Sequence, residues 1–299
     1  MTFINKRSCL IWSTESHALL ARNLAKCLSL ESQSVNIHHF PDGESKVTLP
    51  DTSPSQLILV TDLSQGNDAL IELLFIIRGA RQQGVKHIIL VAPYLPYMRQ
   101  DVAFHPGEVI SQQVFGSWLG ELTDTLITVD PHLHRINTLE AVIPETHIFT
   151  LNASPYIGQH LKSAYNNPLL IGPDNESAQW VSSTAAAGKL DYHIANKTRL
   201  GDKHVEIEID VKQMSGREVV IVDDMSSTGH TIAVAAQHAY NSGATSVHAV
   251  ITHALLTSEG MAVLKQANIK NIESTNTIPH STNSIDLSNM LAATLKTLL

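Results

Sequence analysis

The sequence predicts an α/β protein of two domains, each a mainly parallel sheet flanked by helices. Three observations carry this expectation. Short apolar runs alternate with helical stretches through nearly the whole chain. Runs such as His87-Ile88-Ile89-Leu90-Val91 and Thr125-Leu126-Ile127-Thr128-Val129 are continuous, which suits strands covered on both faces. A helix–glycine–strand joint occurs twice, from Gly79 to Val91 and from Ala239 to Ile251, and suggests duplication. Strands alternating with helices pair in parallel through right-handed crossovers. At 299 residues the chain is long enough for two domains of ordinary size.

The elements follow in order. Ser8 to Trp12 reads as a short apolar strand, and residues 15–28 as a helix. Gln56-Leu57-Ile58-Leu59-Val60 is a strand, followed by a helix from about Asn67 to Gln82. The two runs quoted above are the next strands. Pro144 and Asn152-Ala153-Ser154-Pro155 flank a domain boundary near residues 145–153. There Ser154 can cap a helix with Pro155 at its first position. Further strands are expected at 168–171, 191–194, 217–222, 246–251 and 270–274, with a polar one around 203–210. Ile285 to Leu299 reads as a closing helix.

Composition narrows the class. Hydrophobic residues make up 43% and charged residues 16%, as in a globular protein. No apolar run approaches the roughly 18 residues that span a bilayer. The N-terminus lacks a signal-peptide core. Cys9 and Cys27 are too few for a disulfide framework and read as buried thiols. These features lead us to expect a cytoplasmic protein with no membrane partner. The net charge of −8 argues against a nucleic-acid partner, which needs a basic face. It also means that a polyphosphate would be drawn in locally, by a few bases, backbone amides and Mg²⁺.

The most informative stretch is Val219-Val220-Ile221-Val222-Asp223-Asp224-Met225-Ser226-Ser227-Thr228-Gly229-His230-Thr231. Four β-branched residues make a strand, two acids end it, and a Ser/Thr/Gly turn opens an alanine-rich helix. The acids can take sugar hydroxyls. The turn points N–H groups at an anion, and the helix N-terminus adds its positive end. A phosphorylated sugar satisfies both halves. Asp130-Pro131-His132, Gly172-Pro173-Asp174 and Pro93 to Asp101 also follow strands, where ligands of open α/β sheets bind.

The loop resembles the PRPP-binding signature shared by phosphoribosyltransferases and PRPP synthases. Other segments resemble the ribose-phosphate pyrophosphokinases: Phe40-Pro41-Asp42-Gly43-Glu44, Pro93-Tyr94-Leu95-Pro96-Tyr97-Met98-Arg99-Gln100-Asp101, Asp130-Pro131-His132, Gly172-Pro173-Asp174 and Lys197-Thr198-Arg199. All occur in family order between residues 40 and 231. The wording is closest to the archaeal-type branch.

The resemblance implies two tandem phosphoribosyltransferase-type domains. They would span 1–148, with the ATP-side motifs, and 149–299, with the PRPP-binding loop, the last helix packing back on the first domain. It implies ATP-binding at Phe40, Asp42, Glu44, Arg99 and Gln100, and Mg²⁺ at His132 and Asp174. It implies ribose 5-phosphate contacts at Asp223, Ser227, Thr228, Gly229, His230 and Thr231, and the acid pair's own chemistry adds Asp224. Lys197 and Arg199 would be the catalytic bases over the transferring phosphates, with Lys203 as a helper. The expected activity is transfer of pyrophosphate from ATP to the anomeric hydroxyl of ribose 5-phosphate, in a homo-oligomer, a dimer or a hexamer. His230 departs from the pattern, which has a second glycine there. Glycine tolerates positive φ and close phosphate approach, and histidine resists both. A different ribose-phosphate acceptor and a non-catalytic regulatory homologue are the alternatives. His132-x-His134 also invites a zinc reading, against which no cysteine or third histidine has ligand spacing nearby.

Overall fold

The computed structural model describes residues 9–199, 205–208 and 214–299. It forms two compact units, one of residues up to Leu151 together with Ser288–Leu299, the other Asn152–Leu287. The first unit begins with β1 (Cys9–Ser13), α1 (Ala18–Leu28), β2 (Ser32–Ser34), β3 (Asn36–His39) and β4 (Ser45–Thr48). It continues with β5 (Gln56–Val60), α2 (Asn67–Gln82), β6 (His87–Val91), α3 (Ser111–Leu122), β7 (Thr125–Val129) and β8 (His147–Leu151). Its sheet has the order β2-β1-β5-β6-β7-β8, and every pairing is parallel. β3 and β4 form a separate antiparallel hairpin.

The second unit runs α4 (Ser154–Ala164), β9 (Leu169–Gly172), α5 (Ala178–Gly188), β10 (Asp191–Ile194), β11 (Asn196–Arg199) and β12 (Val205–Glu208). It closes with β13 (Glu218–Ser226), α6 (His230–Asn241), β14 (Ser246–Ala254), α7 (Ser258–Gln266), β15 (Ile272–Thr275) and β16 (Asn283–Ile285). The sheet order is β10-β9-β13-β14-β15-β16, again parallel throughout. β11 and β12 pair as an antiparallel hairpin. The two units therefore repeat one topology, hairpin included.

The apolar runs explain the sheets. Leu57, Ile58, Leu59 and Val60 are fully buried, as are Ile88, Ile89, Leu90 and Val91. Burying one such side chain contributes about 1.5–3 kcal/mol. The chain returns at its end to the first unit through α8 (Ser288–Lys296), which packs on α1. Asn23 Nδ2 donates to Ser288 Oγ at 3.4 Å there, and Cys27 Sγ–H donates to Asn289 Oδ1 at 3.6 Å. Cys27 is thus only half-buried, unlike Cys9, and the expectation of two buried thiols is corrected. In the second unit α4 and α5 cross at two glycines. A Cβ at Gly158 would stand 2.4 Å from the Thr184 carbonyl oxygen, and one at Gly188 2.8 Å from that of Gly158.

Three local readings change. β13 runs on to Ser226, so Asp223 and Asp224 lie within the strand rather than ending it. The long partner β14 explains this, because Met225 still pairs with His253 and Ser226 with Ala254. Ser154 lies inside α4 rather than capping it, and its N–H donates to Asn152 Oδ1 at 2.8 Å. Ile285 belongs to the edge strand β16, paired with Thr275, so the last helix starts three residues later.

Glu273 on β15 ties the outer edge of the second sheet to α4. It accepts from Tyr165 Oη at 2.6 Å and, across an ion pair, meets His160 Nε2 at 2.8 Å. Burial alone would raise its carboxyl, but the hydrogen bonds from Tyr165 and His160 outweigh burial and hold it below the ordinary 4.5. A carboxylate depressed in the folded state adds stability above its unfolded pKa and loses it as pH falls through the folded value. Glu273→Gln should therefore lower the melting temperature at neutral pH. The gap to wild type should close as the pH falls through the lowered value of the folded state. A gap constant across pH would show that the ionised carboxylate contributes nothing.

Candidate active site

The second unit has a topological switch point between β9 and β13, since the chain leaves β9 towards β10 on one side and β13 lies on the other. Ligands of such sheets bind beyond the carboxyl ends of those two strands. β9 delivers Gly172, Pro173 and Asp174. Asp174 Oδ1 accepts the N–H groups of Glu176 at 3.1 Å and Ser177 at 3.2 Å, which fixes the turn into α5. β13 delivers Asp223 and the buried Asp224, which is 3% exposed. Their Oδ1 atoms accept from the next residue's N–H, Asp223 from Asp224 at 3.1 Å and Asp224 from Met225 at 2.8 Å.

The Asp223 carboxyl feels the other two. Desolvation first, then repulsion from Asp224 and from Asp174, pushes the Asp223 carboxyl well above its usual range. Carboxylates gathered in this way are avid for a hard cation or for hydroxyl donors.

Next comes the turn. Ser227 and Thr228 are exposed and lead to Gly229, whose φ is +73°. Only glycine takes that conformation without strain. A Cβ there would also stand 2.9 Å from Leu264 Cγ and 3.0 Å from the Gly260 carbonyl oxygen. His230 and Thr231, both exposed, open α6. His230 is the first helical residue and has no positive φ. The expectation that histidine resists this position is therefore corrected for the backbone, because Gly229 takes the left-handed turn and His230 needs none. The first N–H groups of a helix have no partner within it and suit an anion.

Lys197 and Arg199 fall on β11 and pair with Ile207 and Val205 of β12. Lys203, the helper expected between these strands, lies outside the described residues. The structure thus places Asp174, Asp223, Asp224 and residues 227–231 at or just beyond the carboxyl ends of β9 and β13, and the same unit carries the Lys197/Arg199 hairpin.

The other expected residues lie in the first unit. Phe40, Asp42 and Glu44 form the turn of the β3–β4 hairpin. Phe40 N–H donates to the Glu44 carbonyl at 2.8 Å, Glu44 N–H to Asp42 Oδ1 at 3.2 Å, and Gly43 has φ +93°. The Phe40 ring is 39% exposed, an open aromatic face. Arg99 and Gln100 are exposed on the loop after β6, and His132 is buried on the loop after β7 with its Nε2 towards that of His134. Asp101 and Arg135 join these two loops by an ion pair in which the Asp101 side chain is 1% exposed. The first unit's own switch point holds a cavity of about 440 Å³ lined by Glu15, Gln65, Asp68 and Glu72, with His39 from β3. Its acids would repel a phosphate.

Sequence reasoning missed the residues behind the turn. Thr257 N–H donates to the Ser227 carbonyl at 3.3 Å, and the Thr257 side chain caps α7 through Gly260 N–H at 3.1 Å. A Thr three residues before a glycine is a capping signal, but it does not say which loop the helix faces. Arg135 also went unmarked, since one exposed arginine carries no motif.

Comparison with known proteins identifies the family. Residues 9–122 match the N-terminal domain of ribose phosphate pyrophosphokinase, and residues 197–299 match the phosphoribosyl synthetase-associated domain. A ribose-phosphate pyrophosphokinase of Methanopyrus kandleri is 32% identical over 275 residues, covering 91% of this chain and 93% of the relative. The chain belongs to the ribose-phosphate pyrophosphokinase family. Another member, from Saccharolobus solfataricus, is 32% identical over 266 residues, covering 86% and 88%. The crystal structure of phosphoribosylpyrophosphate synthetase from Mycobacterium smegmatis matches with a TM-score of 0.81 at 22% identity, covering 97% of this chain and 98% of that one. At that identity the likeness is one of fold. Among the described residues no helix is long and apolar enough to cross a membrane.

Proposed function

We propose that this protein is an ATP-dependent ribose-phosphate pyrophosphokinase that makes PRPP and AMP from ribose 5-phosphate. The observation that carries this reading is the second unit's crevice. An anion-suited helix N-terminus there follows two acids near the end of β13, and a Lys-x-Arg hairpin lies in the same unit. In the proposed reaction the anomeric hydroxyl oxygen forms a bond to the β-phosphorus of ATP and releases its proton to solvent. The bond from that phosphorus to the α,β-bridging oxygen breaks, and AMP leaves with that oxygen. Residues 227–231 would hold the 5-phosphate, with Asp223 and Asp224 on ribose hydroxyls. Lys197 and Arg199 would neutralise charge on the transferring group, the main need of phosphoryl-type transfer. Phe40, Asp42, Glu44, Arg99 and Gln100 would take the nucleotide, with the Phe40 ring on adenine.

The donor set fits Mg²⁺, because a crowded carboxylate crevice favours a hard oxygen-loving cation. Asp174 would hold it in the second unit, His132 is the ligand that the resemblance implies in the first, and when bound the ion would neutralise and orient the polyphosphate. We further assign the ATP-side role to residues 1–148 and the PRPP-side role to 149–299. A homo-oligomer, dimer or hexamer, and a cytoplasmic location complete the proposal.

³¹P NMR of ATP, Mg²⁺ and ribose 5-phosphate with pure protein tests the reading. New AMP and a pyrophosphorylated sugar are expected together. No AMP, or AMP formation independent of the sugar, would overturn it.

Lys197→Ala should slow turnover by roughly two to four orders of magnitude, the scale of one lost electrostatic stabiliser. Ribose 5-phosphate binding should change little. Turnover within about threefold of wild type would make Lys197 a surface residue rather than a catalytic one.

His230 tests whether the acceptor site has been modified. If its side chain contacts the 5-phosphate, His230→Gly should weaken sugar-phosphate affinity and keep catalysis. Equal affinities for the two proteins would dismiss the contact.

A further inference from the structure

We infer that Gly260, in the first turn of α7, is a positioning residue for the sugar-phosphate loop. The inference rests on the proposed sugar-phosphate role of residues 227–231. Its basis is one close backbone approach. A Cβ built on Gly260 would stand 2.4 Å from the Ser227 carbonyl oxygen and 3.3 Å from the Thr228 carbonyl carbon. Real Cβ atoms do not come that close to backbone, so the helix and the loop meet here only because residue 260 has no side chain.

The contact is reciprocal. The Gly260 carbonyl oxygen lies 3.0 Å from where a Cβ of Gly229 would be, and Leu264 of the same helix closes the remaining space at 2.9 Å. A hydrogen bond holds the two segments together as well, from Thr257 N–H to the Ser227 carbonyl at 3.3 Å. The Thr257 hydroxyl accepts from Gly260 N–H at 3.1 Å, which fixes the first turn of α7 against its cap. The Ser227 carbonyl is thus set between a donor on one side and a bare Cα on the other. Fixing that peptide fixes the next N–H groups, which are those that would face the phosphate.

Local propensity makes the assignment testable. Glycine is a poor helix residue, and alanine is the best one. For α7 alone, Gly260→Ala should be neutral or stabilising. For the loop it is a collision with backbone, which no side-chain rotation can relieve. The helix and the site therefore make opposite demands on one position.

The test measures Gly260→Ala against wild type by thermal melting, by titration with ribose 5-phosphate, and by steady-state kinetics in both substrates. A misplacement of about an ångström at a binding loop costs on the order of tenfold to a hundredfold. We expect ribose 5-phosphate affinity to weaken by that factor, with KM for ATP and the melting temperature close to wild type. Ribose 5-phosphate affinity within about threefold of wild type overturns the inference. So does a variant that no longer folds or loses affinity for both substrates alike, which makes Gly260 a general structural glycine. Failure of the wild-type protein to bind ribose 5-phosphate overturns the functional reading, and the inference with it.

Discussion

The crowding of Asp223, by burial first and then by Asp224 and Asp174, is the constraint on which the site of the second unit depends. Such a crevice cannot also accept a bare phosphate at the same point. The fold separates the two demands along one strand-to-helix connection. The acids lie within β13, and the anion-suited N–H groups begin beyond Ser227, past a peptide that α7 holds in place. A sugar with hydroxyls at one end and a phosphate at the other matches that separation. Positive charge for a polyphosphate must then come from outside the crevice floor, which gives the β11–β12 hairpin and a divalent cation their roles.

The same frame occurs twice and has been used differently each time. Both units place a strand pair, a switch point, an antiparallel hairpin and a helix N-terminus in the same order. In the first unit the connection after β5 carries Asp62, Gln65 and Asp68, and its crevice is lined by acids. The corresponding connection in the second unit carries Ser227, Thr228, Gly229 and His230. Topology alone therefore offers two ligand sites, and side-chain chemistry decides which one can take a phosphate. The hairpins diverge in the same way. One presents an aromatic ring and two acids at its turn, and the other carries Lys197 and Arg199 on its first strand.

The sequence made the frame legible wherever burial was two-sided. Strands such as β5, β6 and β7 are continuous apolar runs because helices cover both faces, and their bounds read correctly from composition. The polar β3 and β4 were invisible as strands, since β4 alternates half-buried with exposed residues but sets polar Ser45 beside Val47 on its half-buried face. β13 was read too short because acids suggest a strand end, whereas its ladder to β14 continues past them. The site was legible where chemistry sits in consecutive residues, as in 223–231. It was illegible where two distant segments meet. Gly260 looks like a weak helix residue, and nothing near it in the chain points to Ser227, thirty-three positions away.

Backbone strain sorts the loops in the same sense. Ser29 and Lys189 have positive φ, at 55° and 54°, but each closes a helix with the same pair of bonds. Leu30 N–H reaches Ala25 O, and Leu190 N–H reaches Ala185 O, both at 3.0 Å. These are helix caps repeated by the duplication, and they explain themselves. Tyr97 at 65° and Asp130 at 37° have no such excuse. Both lie just beyond the carboxyl ends of β6 and β7, in the loops that carry Arg99, Gln100 and His132. A non-glycine residue stays in that region only when its surroundings over-determine it, and such residues collect where ligands are held. Here the surroundings are visible: the Tyr97 hydroxyl bonds Asn67, Asp130 N–H reaches the Leu151 carbonyl at 2.9 Å, and Asp101 pairs with Arg135 between the two loops. The first unit therefore stiffens its strand-end loops through side-chain ties, where the second achieves the same end through the close approach of two glycines.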